Sequence, residues 1–273
     1  MHFARPEKKA VYAAPIHEML DRILEVGRNE HGLFYNSVNP KTGEITNPGI
    51  ADTWGYTYNG LYSVYLIDGT EAYRAATLKA MKNMNYYHNF AWEGSSADGY
   101  ADTIESGLNL FNREALPELA EWLDRQIPIM WAKQQPDGVI EGWHGDGNFA
   151  RTTIMYCLWK TAGLTAHPWR EDLIFGAVQT KMGLQIALTA AADWQGKLVF
   201  DSPRHQTILH LPLDYPRINQ FPEWFVVQTG KKYGLLKNKS QKKQNFSGDD
   251  LQKGIPLTVK GGETLSWEVR RVQ

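Results

Sequence analysis

The sequence predicts an α+β chain of two domains, a two-layered helical domain over residues 1–172 and an antiparallel β-sandwich over residues 173–273. Up to about Asp172, apolar residues recur at helical spacing in long segments. Beyond it come short β-branched runs such as "TILHL", "WFVVQT" and "LSWEVRRV", cut by Gly, Pro and Asp turns. That spacing suits roughly seven or eight strands.

The helical part repeats itself. Laid under one another without gaps, the stretches from Trp54 ("WGYTYNGLYSVYL"), Asp98 ("DGYADTIESGLNL") and Asp146 ("DGNFARTTIMYCL") share a second-position glycine, namely Gly55, Gly99 and Gly147. An ordinary amphipathic helix precedes each: Ile16 to Arg28, Glu71 to Tyr87, and Leu116 to Lys133. A helix that is apolar nearly all round is buried, and one with a charged face lies outside, so the alternation implies two layers built from three αα-hairpins. Short links, "IDGT" and "FNREA", leave the inner helices. The links that enter them are longer and richer in Trp, Asp, His and Gly: "NEHGLFYNSVNPKTGEITNPGIADT", "NFAWEGSSA" and "QPDGVIEGWHG". A binding site belongs on that face.

In the second domain, Asp201 to Phe225 carries four prolines and reads as a long crossover, with Arg204, His205, Arg217, Asn219 and Trp224 as a minority case for a cleft rim. "KNKSQKKQNFSGDD", with Lys237, Lys239, Lys242 and Lys243, reads as a solvated hairpin loop.

Composition narrows the partners. The 273 residues are 42% hydrophobic and 22% charged with a formal net charge of -1, which gives no reason to expect nucleic acid or an anionic membrane surface as partner. The lone cysteine, Cys157, sits among apolar neighbours and reads as a buried thiol, and a single cysteine allows no intrachain disulfide. The start, "MHFARPEKKAVYAAP", lacks the apolar core of a signal peptide. The cytoplasm is the default location, with the periplasm and secretion left open. No phosphate-binding loop, dinucleotide fingerprint or nucleophile elbow occurs, so no cofactor is expected.

The layout, together with "ADTWGYTYNGLY", "DGYADTIESG" and "EGWHGDGNFART", resembles the α/α-toroid enzymes that act on carbohydrates, the six-hairpin glycosidases and related polysaccharide lyases. The resemblance implies a partial α/α toroid followed by a β-sandwich, and an oligosaccharide or polysaccharide substrate, with uronate-containing chains among the options. A complete toroid of that type has about six hairpins, against three here. The inner helices of a half-toroid would expose large apolar side chains worth roughly 1.5–3 kcal/mol each when buried, so a homo-oligomer is expected.

Chemistry concentrates on the middle inner helix, where Asp98, Asp102, Glu105 and Asn109 form a polar stripe. Acids on a buried helix must face water, a ligand or a basic partner. Asp98 also reads as an N-cap, and Asp102 and Glu105 as ion-pair partners of Arg151. Glycoside hydrolysis needs two carboxyl groups, one to protonate the departing oxygen and one to activate water or attack the anomeric carbon. One acid would come from Asp98, Asp102 or Glu105 and the other from Asp146 or Glu141, with Trp54, Tyr56, Tyr58, Tyr100, Trp143, Asn148 and Arg151 binding substrate and His144 assisting. Asp146 also reads as a helix cap, and Glu141 as a plain loop acid. A lyase would instead use His144 with Tyr56 or Tyr100 as base, and Arg151, Asn59 and Asn148 to neutralise a uronate. A sugar-binding or assembly module without turnover is the third reading. No metal is expected: His205 and His210 lie five apart in a predicted strand and so point to opposite faces, and His144 with Asp146 lacks further ligands.

Overall fold

The computed structural model describes residues 6–140, 147–237 and 243–272, and divides the chain into two compact units, Met1–Thr152 and Thr153–Gln273. The chain is a mixed α+β protein, and among the described residues its three sheets are antiparallel. Among the described residues, no helix is long and apolar enough to cross a membrane.

The first unit begins with a 3-10 turn at Pro6–Lys8 and helix α1, Lys9–Val26. This helix starts earlier than the periodicity suggested and carries Pro15 within it. A hairpin follows, β1 (Tyr35–Val38) and β2 (Ile45–Ile50), which the sequence did not reveal. Its turn is built on Asn39: the side chain accepts from the amides of Lys41 and Thr42, and Gly43 takes the positive φ of 79° that the reversal needs. The hairpin delivers the chain to α2, Trp54–Asp68, which ends on Gly69 in the left-handed conformation.

Helix α3 spans Glu71–Lys82, and a separate 3-10 turn at Met84–Tyr87 replaces the continuation to Tyr87 expected from the sequence. Helices α4 (Ala97–Phe111) and α5 (Pro117–Trp131) complete the packed set, with Pro117 at the start of α5, where its missing N–H costs nothing. α2 packs on α3 and α4, α4 on α5, and α3 on α5. α4 is buried along nearly its whole length, whereas α3 and α5 each bury one face. Gly55 permits the α2–α4 approach, because a Cβ there would lie 2.3 Å from Cβ of Ser106. His17 ties α1 to its neighbours, 2.7 Å from the Tyr73 hydroxyl and 2.8 Å from the Asp68 carboxylate.

Helix α6, Gly147–Lys160, spans the division between the units. It buries only a stripe, Phe149, Thr152 and Met155, and is not apolar all round as expected. The shared glycines therefore serve different ends. Gly55 abuts Ser106 and Gly99 abuts the Trp92 carbonyl, but Gly147 meets nothing within 4 Å. Cys157 is exposed, which corrects its reading as a buried thiol.

The second unit holds strands β3 (Thr165–His167), β4 (Leu173–Thr180), β5 (Gly183–Ala190) and β6 (Trp194–Val199), then the short helix α7 (Arg204–Thr207). Strands β7 (Lys232–Lys237) and β8 (Lys243–Ser247), helix α8 (Gly248–Lys253), and strands β9 (Ile255–Val259) and β10 (Thr264–Val272) follow. One sheet runs β4-β5-β10-β7-β8 and the other β3-β6-β9. Alternation fixes their register: Leu184, Ile186 and Leu188 of β5 and Leu265, Trp267 and Val269 of β10 point into one core that also takes Leu198 of β6 and Leu257 of β9. Helix α8 opens with a reciprocal cap between Ser247 and Asp250.

Two predicted strands are absent. "TILHL" holds the end of α7 and a turn, with His210 at a φ of 54°, and "WFVVQT" holds only an isolated bridge between Asp201 and Val226. His205 therefore lies on a helix and His210 in a turn, so the strand argument against a shared ligand no longer applies to them.

Candidate active site

The site assembles where the first turns of α2, α4 and α6 meet. Ser96, not Asp98, caps α4: its Oγ accepts from the Gly99 amide at 2.9 Å and donates to Glu93 at 2.6 Å. Asp98 sits within the first turn, where a negative charge is favoured by the exposed amides of the helix start. The loop before Ser96 is held in an unusual form, with Glu93 and Ser95 at φ of 44° and 72° on either side of Gly94. Such conformations cost of order 1–3 kcal/mol each in non-glycine residues and persist where surrounding packing dictates them. Here Trp92, wholly buried against Tyr87, Phe90 and Trp122, supplies that packing.

Asp102 lies at the centre. Asn148, in the first turn of α6, donates from one amide nitrogen to Asp98 at 2.6 Å and to Asp102 at 3.2 Å. The Tyr56 hydroxyl of α2 donates to Asp102 at 2.6 Å and lies 3.0 Å from Glu105. Arg151 pairs directly with Glu105, which is 1% exposed, and stands 3.6 Å from Asp102. The guanidinium thus faces both acids, with Glu105 the closer partner. Thr152 fixes α6 on α4 by donating to the Ala101 carbonyl at 3.0 Å.

Burial pushes the Asp102 carboxyl up to about 6, and the charges of Asp98, Glu105 and Asp52 push it the same way against the opposing Tyr56 hydrogen bond. Asp52, delivered by the β1–β2 hairpin, is itself raised, first by burial and then by Glu93, although the Thr53 amide works against this. A carboxyl whose proton affinity is raised by burial and by neighbouring acids keeps its proton into mild acid, which is the condition for donating a proton to a leaving group.

The structure brings together Tyr56, Asp98, Asp102, Glu105, Asn148 and Arg151. It takes three expected substrate residues away. Trp54 is wholly buried, its indole N–H donating to Thr103 at 2.8 Å, and Tyr58 is wholly buried with its hydroxyl on the Gly32 carbonyl at 2.5 Å. Tyr100 is buried too, its hydroxyl 3.3 Å from the Phe90 carbonyl. None of these three offers a stacking face, because each polar tip finds an internal partner and so the ring can be packed inside. Glu141, Trp143, His144 and Asp146 lie outside the described residues. Asp52 and Glu93 were missed. The signals for them are an acid two residues before the first turn of α2 and an acid in a Gly/Ser turn directly before a capping serine.

Compared with models of known protein families and with curated proteins, the chain matches none.

Proposed function

We propose that this chain is a glycoside hydrolase with Asp102 as its proton donor. One observation carries the reading: Asp102 is held near a pKa of about 6 by burial and by neighbouring carboxylates, while Tyr56 and Asn148 fix its orientation. Asp98, sharing the Asn148 amide, is the best-placed second carboxylate among the described residues. Glu105 is too deeply buried and too closely paired with Arg151 to reach a sugar, and its role is to position Arg151 and Tyr56. The acidic surroundings favour uncharged oligosaccharides over uronates. The lyase reading is weaker, since Arg151 is occupied by Glu105 and Asn59 is 2% exposed.

In this reading the helical unit is a partial α/α toroid and the two sheets are the halves of a β-sandwich. A homo-oligomer covers apolar residues of α1, where Val11 and Met19 are 65% and 61% exposed. The test is product analysis on a panel of neutral and acidic oligosaccharides. New reducing ends without an unsaturated uronate support the hydrolase. An unsaturated product indicates a lyase, and binding without product indicates a sugar-binding module. Asp102→Asn should lower hydrolysis by roughly 10²–10⁴-fold with the helical content unchanged.

A further inference from the structure

A second cluster of ligand-type side chains lies in the other unit, on the segment between β6 and β7. His205, Asp214 and Glu223 each bring a nitrogen or carboxylate oxygen to a point where all three lie within 4.8 Å of one another. They come from three separate stretches: α7, the loop after it, and the approach to Val226. The convergence therefore has to be built by the fold and is not imposed by helical spacing.

The surroundings orient the donors. Asn219, buried, points its amide nitrogen at both carboxylates, 2.9 Å from Glu223 and 3.4 Å from Asp214. Its carbonyl oxygen accepts from Arg204 at 3.1 Å, and Arg204 is held in turn by a two-pronged contact with Asp201, both bonds at 2.9 Å. The His205 amide donates to one Glu223 oxygen at 2.7 Å, which turns the other toward the ring Nδ1 at 2.9 Å. Carboxylates and imidazoles that bind metals are characteristically fixed by such outer hydrogen bonds. The 2.9 Å contact between Nδ1 and the carboxylate is a hydrogen bond, so a metal bound there displaces the proton the two groups share.

We propose that His205, Asp214 and Glu223 form a binding site for a divalent transition-metal ion. One imidazole and two carboxylates suit Zn²⁺, a borderline ion, or the harder Mn²⁺, better than Ca²⁺ and Mg²⁺, which take all-oxygen shells. Water completes the coordination. Since the ligands are spread over residues 205–223, which contain no strand, the ion ties this segment to itself, and its binding contributes to folding. The site is independent of the hydrolase reading, because none of its residues takes part in the acidic cluster around Asp102.

The test uses the full chain, stripped with a chelator and dialysed, then titrated separately with Zn²⁺ and Mn²⁺ by calorimetry and by thermal unfolding. The expected result is saturable binding of one equivalent, with the unfolding midpoint rising by about 5 °C or more at a hundredfold excess over Kd. Asp214→Asn, which keeps the size and hydrogen bonding of the side chain, should weaken binding at least tenfold while leaving the metal-free midpoint and circular dichroism unchanged. His205→Gln is a second variant with the same expectation, read on the folded fraction alone if either substitution perturbs folding. Absence of saturable binding by the wild type, or wild-type affinity in both variants, overturns the proposal and leaves the cluster as a hydrogen-bonded brace.

Discussion

Replacing Asp102 by Asn tests the electrostatic picture of the site without any knowledge of the substrate. The folded protein raises this carboxyl from an ordinary value of 3.8 to about 6. A displacement of about two pH units corresponds to at most about 3 kcal/mol, at 1.36 kcal/mol per unit. Below the unfolded value both states carry the proton and the site costs nothing. As pH rises from about 4 to 6 the unfolded chain gives up its proton while the folded chain holds it, so stability is lost across that window and stays lost above it. The amide is neutral at every pH, and its oxygen can still accept from Tyr56 and Asn148. The variant should therefore match the wild type near about pH 4 and exceed it by up to about 3 kcal/mol near about pH 8. Urea unfolding of both proteins at the two pH values, followed by the helical signal in circular dichroism, measures the difference. A gap that does not change with pH would refute the claim that burial and acidic neighbours hold the proton on Asp102.

Four further outcomes check the fold. Gly55→Ala should destabilise by about 1–3 kcal/mol, because the new Cβ meets Ser106 at the α2–α4 contact and outweighs the gain in helix propensity. Gly60→Ala, exposed on the same helix with nothing within 4 Å, should instead stabilise by up to about 1 kcal/mol; thermal unfolding of the two variants should shift in opposite directions. Ser96→Ala removes the cap of α4 and should cost about 1 kcal/mol by denaturant titration. Leu184→Ala opens the core between the two sheets and should cost about 2–5 kcal/mol in the same measurement.

The parts of the fold that could be read in the sequence are those where pattern and burial agree. α4 is legible because Asp98 stands in its first turn and the residues behind it are nearly all inside, and β10 because it alternates cleanly. The β1–β2 hairpin was hidden: "ITNPGI" is exposed or half-buried throughout and contains Pro and Gly, so no alternation betrays it. "TILHL" misled for the opposite reason. Its apolar run looks like a strand, yet Ile208 and Leu209 are exposed and the run lies between Pro203 and Pro212, where a ladder cannot form. At the site, spacing along one helix joined Asp102 to Glu105, and the offset between repeats suggested Arg151. Asp52 and Glu93 reach the cluster through a hairpin and a turn, which no periodicity encodes. Trp54, Tyr58 and Tyr100, expected to bind substrate, have internal partners for their polar tips and belong to the interior.

Whether Asp102 donates a proton to a glycosidic oxygen is answered most directly by kcat/KM for oligosaccharide cleavage as a function of pH, in the wild type and in Asp102→Asn. The donor must carry its proton, so the wild-type rate should fall as pH rises through about 6, and the variant should lie at least about 100-fold below it at the optimum. A variant that keeps both the wild-type rate and the same falling limb would contradict the assignment.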